Sequence, residues 1–436
     1  MSLPLLLLVT ALAPPADTVP LSLEDALARA RTANAAVQAA EAGSAAADAR
    51  VWQATRAFLP STRVELQGLR TTDPVGVFGL KLRQERFAME DLALDALNRP
   101  EAIGGFSTTL GVEMPLLAPE GWFGFSAARS AAVAEEAGAR RMAGAVRLQV
   151  SQAYWNAQWA ARSVAALDTA LAAARAHTAQ AEAMERQGLV TGLDARMARI
   201  ASREVEIRLE QARVERDIAR SQLATLLGMA PDADLTLTDA LTTSVGATCV
   251  QEDCDLAGRG DLEALTAGRD AAAAQARSAW WAQLPQVMGF AAVVHHGQDT
   301  PWGTGSGDWT VGLGMRWALF PGLSGIGAVR EAGAQRRAVD AQLEGARLQA
   351  EAEVRAARQR VQLATRALEL ATAAEAEART ALEQARLRYR TGISPVTELL
   401  DVQATATQTA LSLWTARRDL LVARAALDFA YGAHDR

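Results

Sequence analysis

The sequence predicts a mainly α-helical protein with a small β-barrel portion: a tandem-repeat, long-helix coiled-coil barrel plus four transmembrane β-strands per chain. Three observations predict it. The sequence occurs twice, with Gly188 and Gly392 marking a spacing of 204 residues. Prolines are missing between Pro119 and Pro231 and again between Pro321 and Pro395, which leaves room for two very long helices. Four short stretches change from helical periodicity to strict alternation.

Composition agrees. Of 436 residues 50% are hydrophobic, yet nearly half of that set is alanine and only 5% of the chain is aromatic. A chain rich in a helix former and poor in bulky filler favours helices packed at close range over a thick globular core, which argues against a plain multi-domain enzyme. The net charge is −6, the one lysine is Lys81, and no basic block occurs, so no nucleic acid is expected as partner.

In chain order, Leu3 to Leu12 is an apolar run followed by Ala13, Pro14 and Pro15. It reads as a secretory signal over residues 1–16, although no basic residue precedes it. No later segment reaches the roughly 18 apolar residues of a spanning helix, so the expected compartment is periplasm, outer membrane or medium. A first repeat is expected over 17–228, a linker over 229–258 and a second repeat over 259–436. Asn34 and Arg259 each begin a helical stretch that runs to a Leu-Pro pair, Leu59-Pro60 and Leu284-Pro285. Met114 to Leu117 corresponds to Trp317 to Phe320, and Gly228 to Gly432.

Strands are expected at about 60–70, 106–117, 285–295 and 309–319. In the last, Trp309, Val311, Leu313, Met315, Trp317 and Leu319 alternate with small or polar residues. Alternation over this length with aromatics at the ends suits a strand with lipid on one side and a polar lumen on the other. Four strands cannot close a barrel and an open edge is not tolerated in lipid, so further copies must supply the rest; three copies give twelve. The stretch from Pro60 to Leu117 is longer than its counterpart Pro285 to Phe320. Its surplus around Asp73 to Leu82 is expected to be an extracellular loop or lid.

Each strand pair is followed by a helix of about 65 to 70 residues, on the order of 100 Å at 1.5 Å per residue. Val146, Val150, Ala153, Ala157, Ala160, Val164, Leu167, Leu171 and Ala174 recur in steps of four and three, as do Ala350, Val354, Ala357, Val361, Ala364, Leu368 and Ala371. That is a coiled-coil seam. Tight turns are expected at about 188–192 and 391–395. Thr191 with Asp194 resembles a capping box, and Ser394 with Pro395 suits a helix N-cap and first turn.

Cys249 and Cys254 either close a small disulfide loop in an oxidising compartment or remain free thiols. His295 and His296, without a third ligand nearby, read as solvated loop residues rather than a metal site. No nucleotide-binding loop, nucleophile constellation or metal cluster stands out, so no enzyme and no cofactor are implied.

The tandem order, with the second turn Arg388-Tyr389-Arg390-Thr391-Gly392-Ile393-Ser394-Pro395-Val396-Thr397-Glu398-Leu399-Leu400-Asp401, resembles the TolC-type outer-membrane efflux proteins. The first turn, Gly188 to Asp194, is a looser match. The resemblance implies a homotrimeric outer-membrane exit duct extending into the periplasm, with an inner-membrane pump and a periplasmic adaptor protein as partners. It implies that Gly188 and Gly392 lie at the adaptor contact. Asp194 and Tyr389 stand at family-matched positions on the two turns; either they hydrogen-bond to hold the entrance shut, or Tyr389 simply packs in the helix seam. Ser394 departs from the family, where a basic residue stands. Glu398 and Asp401 are candidates for acidic rings at the pore entrance, or simply complement a helix dipole. The competing reading is a periplasmic coiled-coil scaffold without a pore.

Overall fold

The computed structural model describes residues 19–242, 256–303 and 305–435. The signal segment 1–16 and both Cys249 and Cys254 lie outside them. In chain order the elements are β1 (Val19–Leu21), α1 (Leu23–Ala33), α2 (Ala35–Ala54), β2 (Ser61–Thr71), α3 (Pro74–Arg83), α4 (Leu94–Asn98), β3 (Ile103–Leu117), α5 (Pro119–Arg186), α6 (Gly192–Leu226), β4 (Leu235–Leu237), α7 (Gly260–Trp281), β5 (Gln286–Gly297), β6 (Gly305–Arg316), α8 (Ser324–Arg390) and α9 (Val396–Ala430). The two proline-free stretches are helices of 68 and 67 residues, each followed by one of 35. Among the described residues no helix is long and apolar enough to cross a membrane.

The chain divides into two compact units. One contains residues 1–43, 136–263 and 345–436. Its seam is the heptad: Val146, Val150, Ala157, Ala160, Leu167, Leu171 and Ala174 are buried, as are Ala350, Val354, Ala357 and Ala364. Small seam residues let the helix backbones approach closely, and the larger Leu223, Leu227 and Leu235 fill the broader core near the N-terminal segment. There β1 and β4 pair in parallel, Val19 opposite Leu235; these three-residue strands are too short to leave an alternation signal in the sequence.

The repeat is visible in four identical helix ends. Gly188, Gly228, Gly392 and Gly432 all have φ between 65° and 74°, and each is followed by the same pair of hydrogen bonds. At the first, Gly188 N–H donates to Glu185 O and Leu189 N–H to Met184 O, both at 2.9 Å; at the last, Gly432 N–H donates to Phe429 O and Ala433 N–H to Asp428 O, both at 3.0 Å. Left-handed backbone at these positions favours glycine, which lacks the Cβ that would crowd the next carbonyl.

The ends of α6 and α9 are also clasped alike. The Asn34 amide donates to Leu226 O at 2.8 Å, and the Arg259 guanidinium donates to Ala430 O at 3.0 Å while pairing with Asp261 and Glu353. Both use helix-terminal carbonyls that lack an intrahelical partner.

The second unit contains residues 44–135 and 264–344 and holds the four-stranded antiparallel sheet in the order β2-β3-β5-β6. Three strands lie within a few residues of expectation, β3 starting earlier at Ile103. β6 is the exception: it spans Gly305–Arg316 rather than about 309–319. Its partner β5 begins at Gln286, opposite Arg316, directly after Pro285, whose missing N–H ends the ladder. Trp317 therefore leaves the sheet, and its indole N–H donates to Gln283 O at 3.1 Å. The surplus of the first half is α3 and α4 with their connections, a helical insertion rather than a plain loop.

Candidate functional site

Opposite residues of an antiparallel ladder point to the same side of the sheet, so the register sorts every side chain. One side carries Val64 and Leu66 from β2, Leu110 and Val112 from β3, Ala291 and Val293 from β5, and Trp309, Val311, Leu313 and Met315 from β6. The other carries Arg63, Glu65 and Gln67, then Ser107, Thr109 and Glu113, then His296, then Ser306, Asp308, Thr310 and Arg316. The polar side is internally bonded: Arg63 Nη2 stands 2.8 Å from Glu113 Oε1. Phe290 lies on this side and covers Gly312, where a Cβ would meet its ring.

Among the described residues the apolar side is uncovered over most of its length, with Leu313 75% exposed; only at its far end do Thr108 and His295 bond to the turn that carries Pro301 and Gly303. A water-facing sheet would leave a patch this size unpaid for in free energy, whereas hydrocarbon accepts it. Both edge strands, β2 and β6, have a free side, which lipid does not tolerate.

The two histidines correct the sequence expectation. Neither is a solvated loop residue: both belong to β5, His295 Nε2 lies 2.9 Å from Gly303 O, and His296, 7% exposed, places Nε2 3.0 Å from Asp308 Oδ2. The strand continues two residues beyond the expected end because Gly297 still pairs with Gly305.

In the other unit, the two turns carry the remaining sequence candidates. After Gly188, α6 opens on the expected capping box: Thr191 N–H and Oγ1–H both reach Asp194 Oδ2, at 2.9 and 2.8 Å, and Asp194 N–H returns to Thr191 Oγ1 at 3.3 Å. After Gly392, the expected Ser394 cap is absent. Pro395, at ψ 160°, is the N-cap and offers no side-chain acceptor, so α9 begins at Val396. Ser394 is buried instead, its hydroxyl without a partner among the described residues.

Glu398 sits in the first turn of α9, where a carboxylate complements the exposed helix N–H groups, and its Oε1 is 3.2 Å from Arg388 Nη1 on α8. Asp401, one turn on, is exposed. Tyr389 is 2% exposed and packs among Leu382, Ala385, Val396 and Leu399. Burial, followed by the nearby charge of Asp194, pushes its phenol pKa up. The hydroxyl makes no hydrogen bond among the described residues; the Asp194 carboxylate is engaged by Thr191.

Sequence reasoning missed His177. It lies on α5 beside Arg386 of α8, whose Nη2 donates to Gln403 Oε1 of α9 at 3.0 Å. Burial and the Arg386 charge lower its pKa, and its Nε2 is sealed without a partner among the described residues. α5 is far in sequence from the consecutive helices α8 and α9 that complete this cluster, so no local spacing announces it.

A sheet with an exposed apolar side, on a chain of long paired helices with glycine turns, is the pattern expected of an outer-membrane channel. The chain belongs to the outer membrane efflux protein family, whose model matches residues 26–229 and 255–433, the two tandem halves. Its fold is similar to that of the outer membrane protein VceC from Vibrio cholerae, with TM-score 0.78 and 19% identity over 94% of this chain and 96% of that one. It is likewise similar to the Campylobacter jejuni CmeC outer membrane channel, with TM-score 0.81 and 16% identity over 94% and 86%. For the Neisseria gonorrhoeae MtrE outer membrane channel the values are 0.77 and 18% over 94% and 88%. No curated protein matches the chain. The protein is thus an outer-membrane exit duct for efflux, extending into the periplasm.

Proposed function

We propose that three copies of this chain close a twelve-stranded barrel and continue it as a helical tunnel. The tunnel receives substrate from an inner-membrane pump through a periplasmic adaptor that contacts the turns at Gly188 and Gly392. The observation that supports this reading is the sheet with one bare apolar face and two free edges: copies satisfy the edges and lipid the face. A pore-free scaffold would account for the heptads but leaves that face unexplained.

At the entrance, Glu398 and Asp401 from each copy form acidic rings, which favour cations over anions. Arg388 partly neutralises the Glu398 ring, so Asp401 carries more of the selectivity. Tyr389 and Asp194 act as a pair that holds the entrance shut, the hydroxyl that lacks a partner among the described residues meeting the carboxylate. The proximity of that charge to the phenol supports the pairing. In a planar bilayer, Glu398→Ala/Asp401→Ala is expected to lower cation selectivity and Tyr389→Phe to raise the open fraction. Unchanged selectivity refutes the rings, and unchanged opening refutes the pair.

A further inference from the structure

Residues 73–101, between β2 and β3, fold as a small body of their own. Asp73 caps α3 by accepting from Gly76 N–H at 2.7 Å, Lys81 Nζ pairs with Asp91 Oδ1 at 2.6 Å, and the Phe78 and Phe87 rings meet edge to face at 4.8 Å. The body is tied to the strand ends. Gln84 Nε2 donates to Gly104 O at 3.2 Å, Gln298 Nε2 donates to Gln84 O at 3.2 Å, and Ser306 Oγ donates to Arg83 O.

Those ties place it on one side of the sheet. Ser306 pairs with His296 and so belongs to the polar side. Gly105 shares the side of Ser107, and a Cβ there would run into Gln84, which is buried against it. The insertion therefore folds across the polar face at the end of the sheet. Its surface carries charged residues such as Glu85, Arg86 and Asp95, yet among them several large apolar side chains stand free: Val75 is 79%, Met89 81% and Leu94 78% exposed, with Leu82 and Leu92 about half exposed. In the barrel described above lipid would cover the opposite face of the sheet, away from the side on which the insertion folds. Nothing else among the described residues covers them.

We propose that the insertion is a cap over the external mouth of the pore, and that its apolar residues are covered by the same insertion of neighbouring copies. The insertion runs directly on from β2, a free edge, so a copy that pairs with that edge brings its own strand ends and insertion alongside. Burying exposed apolar residues against one another is favourable because it removes their surface from water. The proposal rests on the multi-copy barrel described above.

The test uses the full chain in intact cells, with Cys249→Ser and Cys254→Ser removing the native thiols. Met89→Cys and Leu94→Cys, each treated with a bismaleimide, are expected to link copies to one another. Separately, Thr109→Cys, on the polar side, is labelled from outside with a bulky membrane-impermeant maleimide. Adding Met89→Asp and Leu94→Asp is expected to speed that labelling about ten-fold, because like charges cannot share a desolvated contact. Absence of links at both positions overturns the proposal, and so does an unchanged labelling rate. Conductance of the same preparations separates the two readings: a conducting chain that fails these tests loses the cap and keeps the channel, whereas a chain that neither conducts nor links loses both.

Discussion

Alanine at Gly432 is expected to cost far more than alanine at Gly392, although the two glycines share one backbone conformation, φ 68° and 74°. Left-handed backbone costs a non-glycine residue about 1–2 kcal/mol, and that is the whole penalty at Gly392, where an added Cβ meets nothing within 4 Å. At Gly432 the Cβ would stand 2.8 Å from Arg259 Cα and 3.0 Å from Gly258 O. Those are backbone atoms, and moving Arg259 disturbs its bonds to Asp261, Glu353 and Ala430. Overpacking of this kind adds about 1–3 kcal/mol. Gly432→Ala should therefore lose roughly 2–5 kcal/mol in all. Hydrogen exchange of the detergent-solubilised protein reads this locally. With about 1.4 kcal/mol per factor of ten, peptides around residue 430 in Gly432→Ala should exchange roughly 30-fold faster or more, and those around residue 392 in Gly392→Ala about ten-fold faster. Gly188→Ala and Gly228→Ala form the matching pair, since a Cβ at Gly228 would lie 2.6 Å from Ala33 O. Equal losses at the open and the clasped positions would refute the reasoning.

Three further outcomes are expected. Leu313→Arg, on the bare apolar side, should cost about 2–4 kcal/mol in lipid and lower the amount of protein reaching the outer membrane, while Thr310→Arg on the polar side should be tolerated; equal loss in membrane fractions from both would reverse the facing. Tyr154 is fully buried, its hydroxyl 3.0 Å from Leu21 O and 3.0 Å from Asp239 Oδ2, and burial pushes its pKa up to about 12. Because the folded value exceeds the unfolded value of 10.0, stability that is full below pH 10 should fall between pH 10 and about 12; Tyr154→Phe should flatten that alkaline limb in thermal unfolding and cost about 1–3 kcal/mol at neutral pH. His177 has the opposite sense for acid: with its folded pKa below the ordinary histidine value of 6.5, the unfolded chain gains the proton first, so stability should decline as pH falls below about 6.5. His177→Gln should remove that part of the decline in melts between pH 7.5 and 5.

Much of the fold was legible in the sequence because long helices announce themselves by proline-free length and a repeating seam. The glycine turns, the seam residues Val146 to Ala174 and the Thr191–Asp194 capping box all follow from local chemistry. What misled were boundaries and caps whose outcome depends on a partner. Trp317 to Leu319 continue the alternation of β6, but β5 stops at Gln286 and leaves them without a ladder. Ser394 is a good capping residue by type, yet Pro395 takes the cap position and Ser394 turns inward.

Periodicity acts over neighbours on one chain segment, and it suffices to dictate which stretches are helix or strand and that the whole motif is made twice. Which residues meet across segments is another matter. The pairing of Arg388 with Glu398, the His177–Arg386–Gln403 cluster, the clasps made by Asn34 and Arg259, and the folding of residues 73–101 onto the polar side each join positions that no spacing relates. They are decided when the helices and strands dock, because burial then sets which polar groups must find partners inside the chain and which, like Tyr389 and Ser394, are left without one.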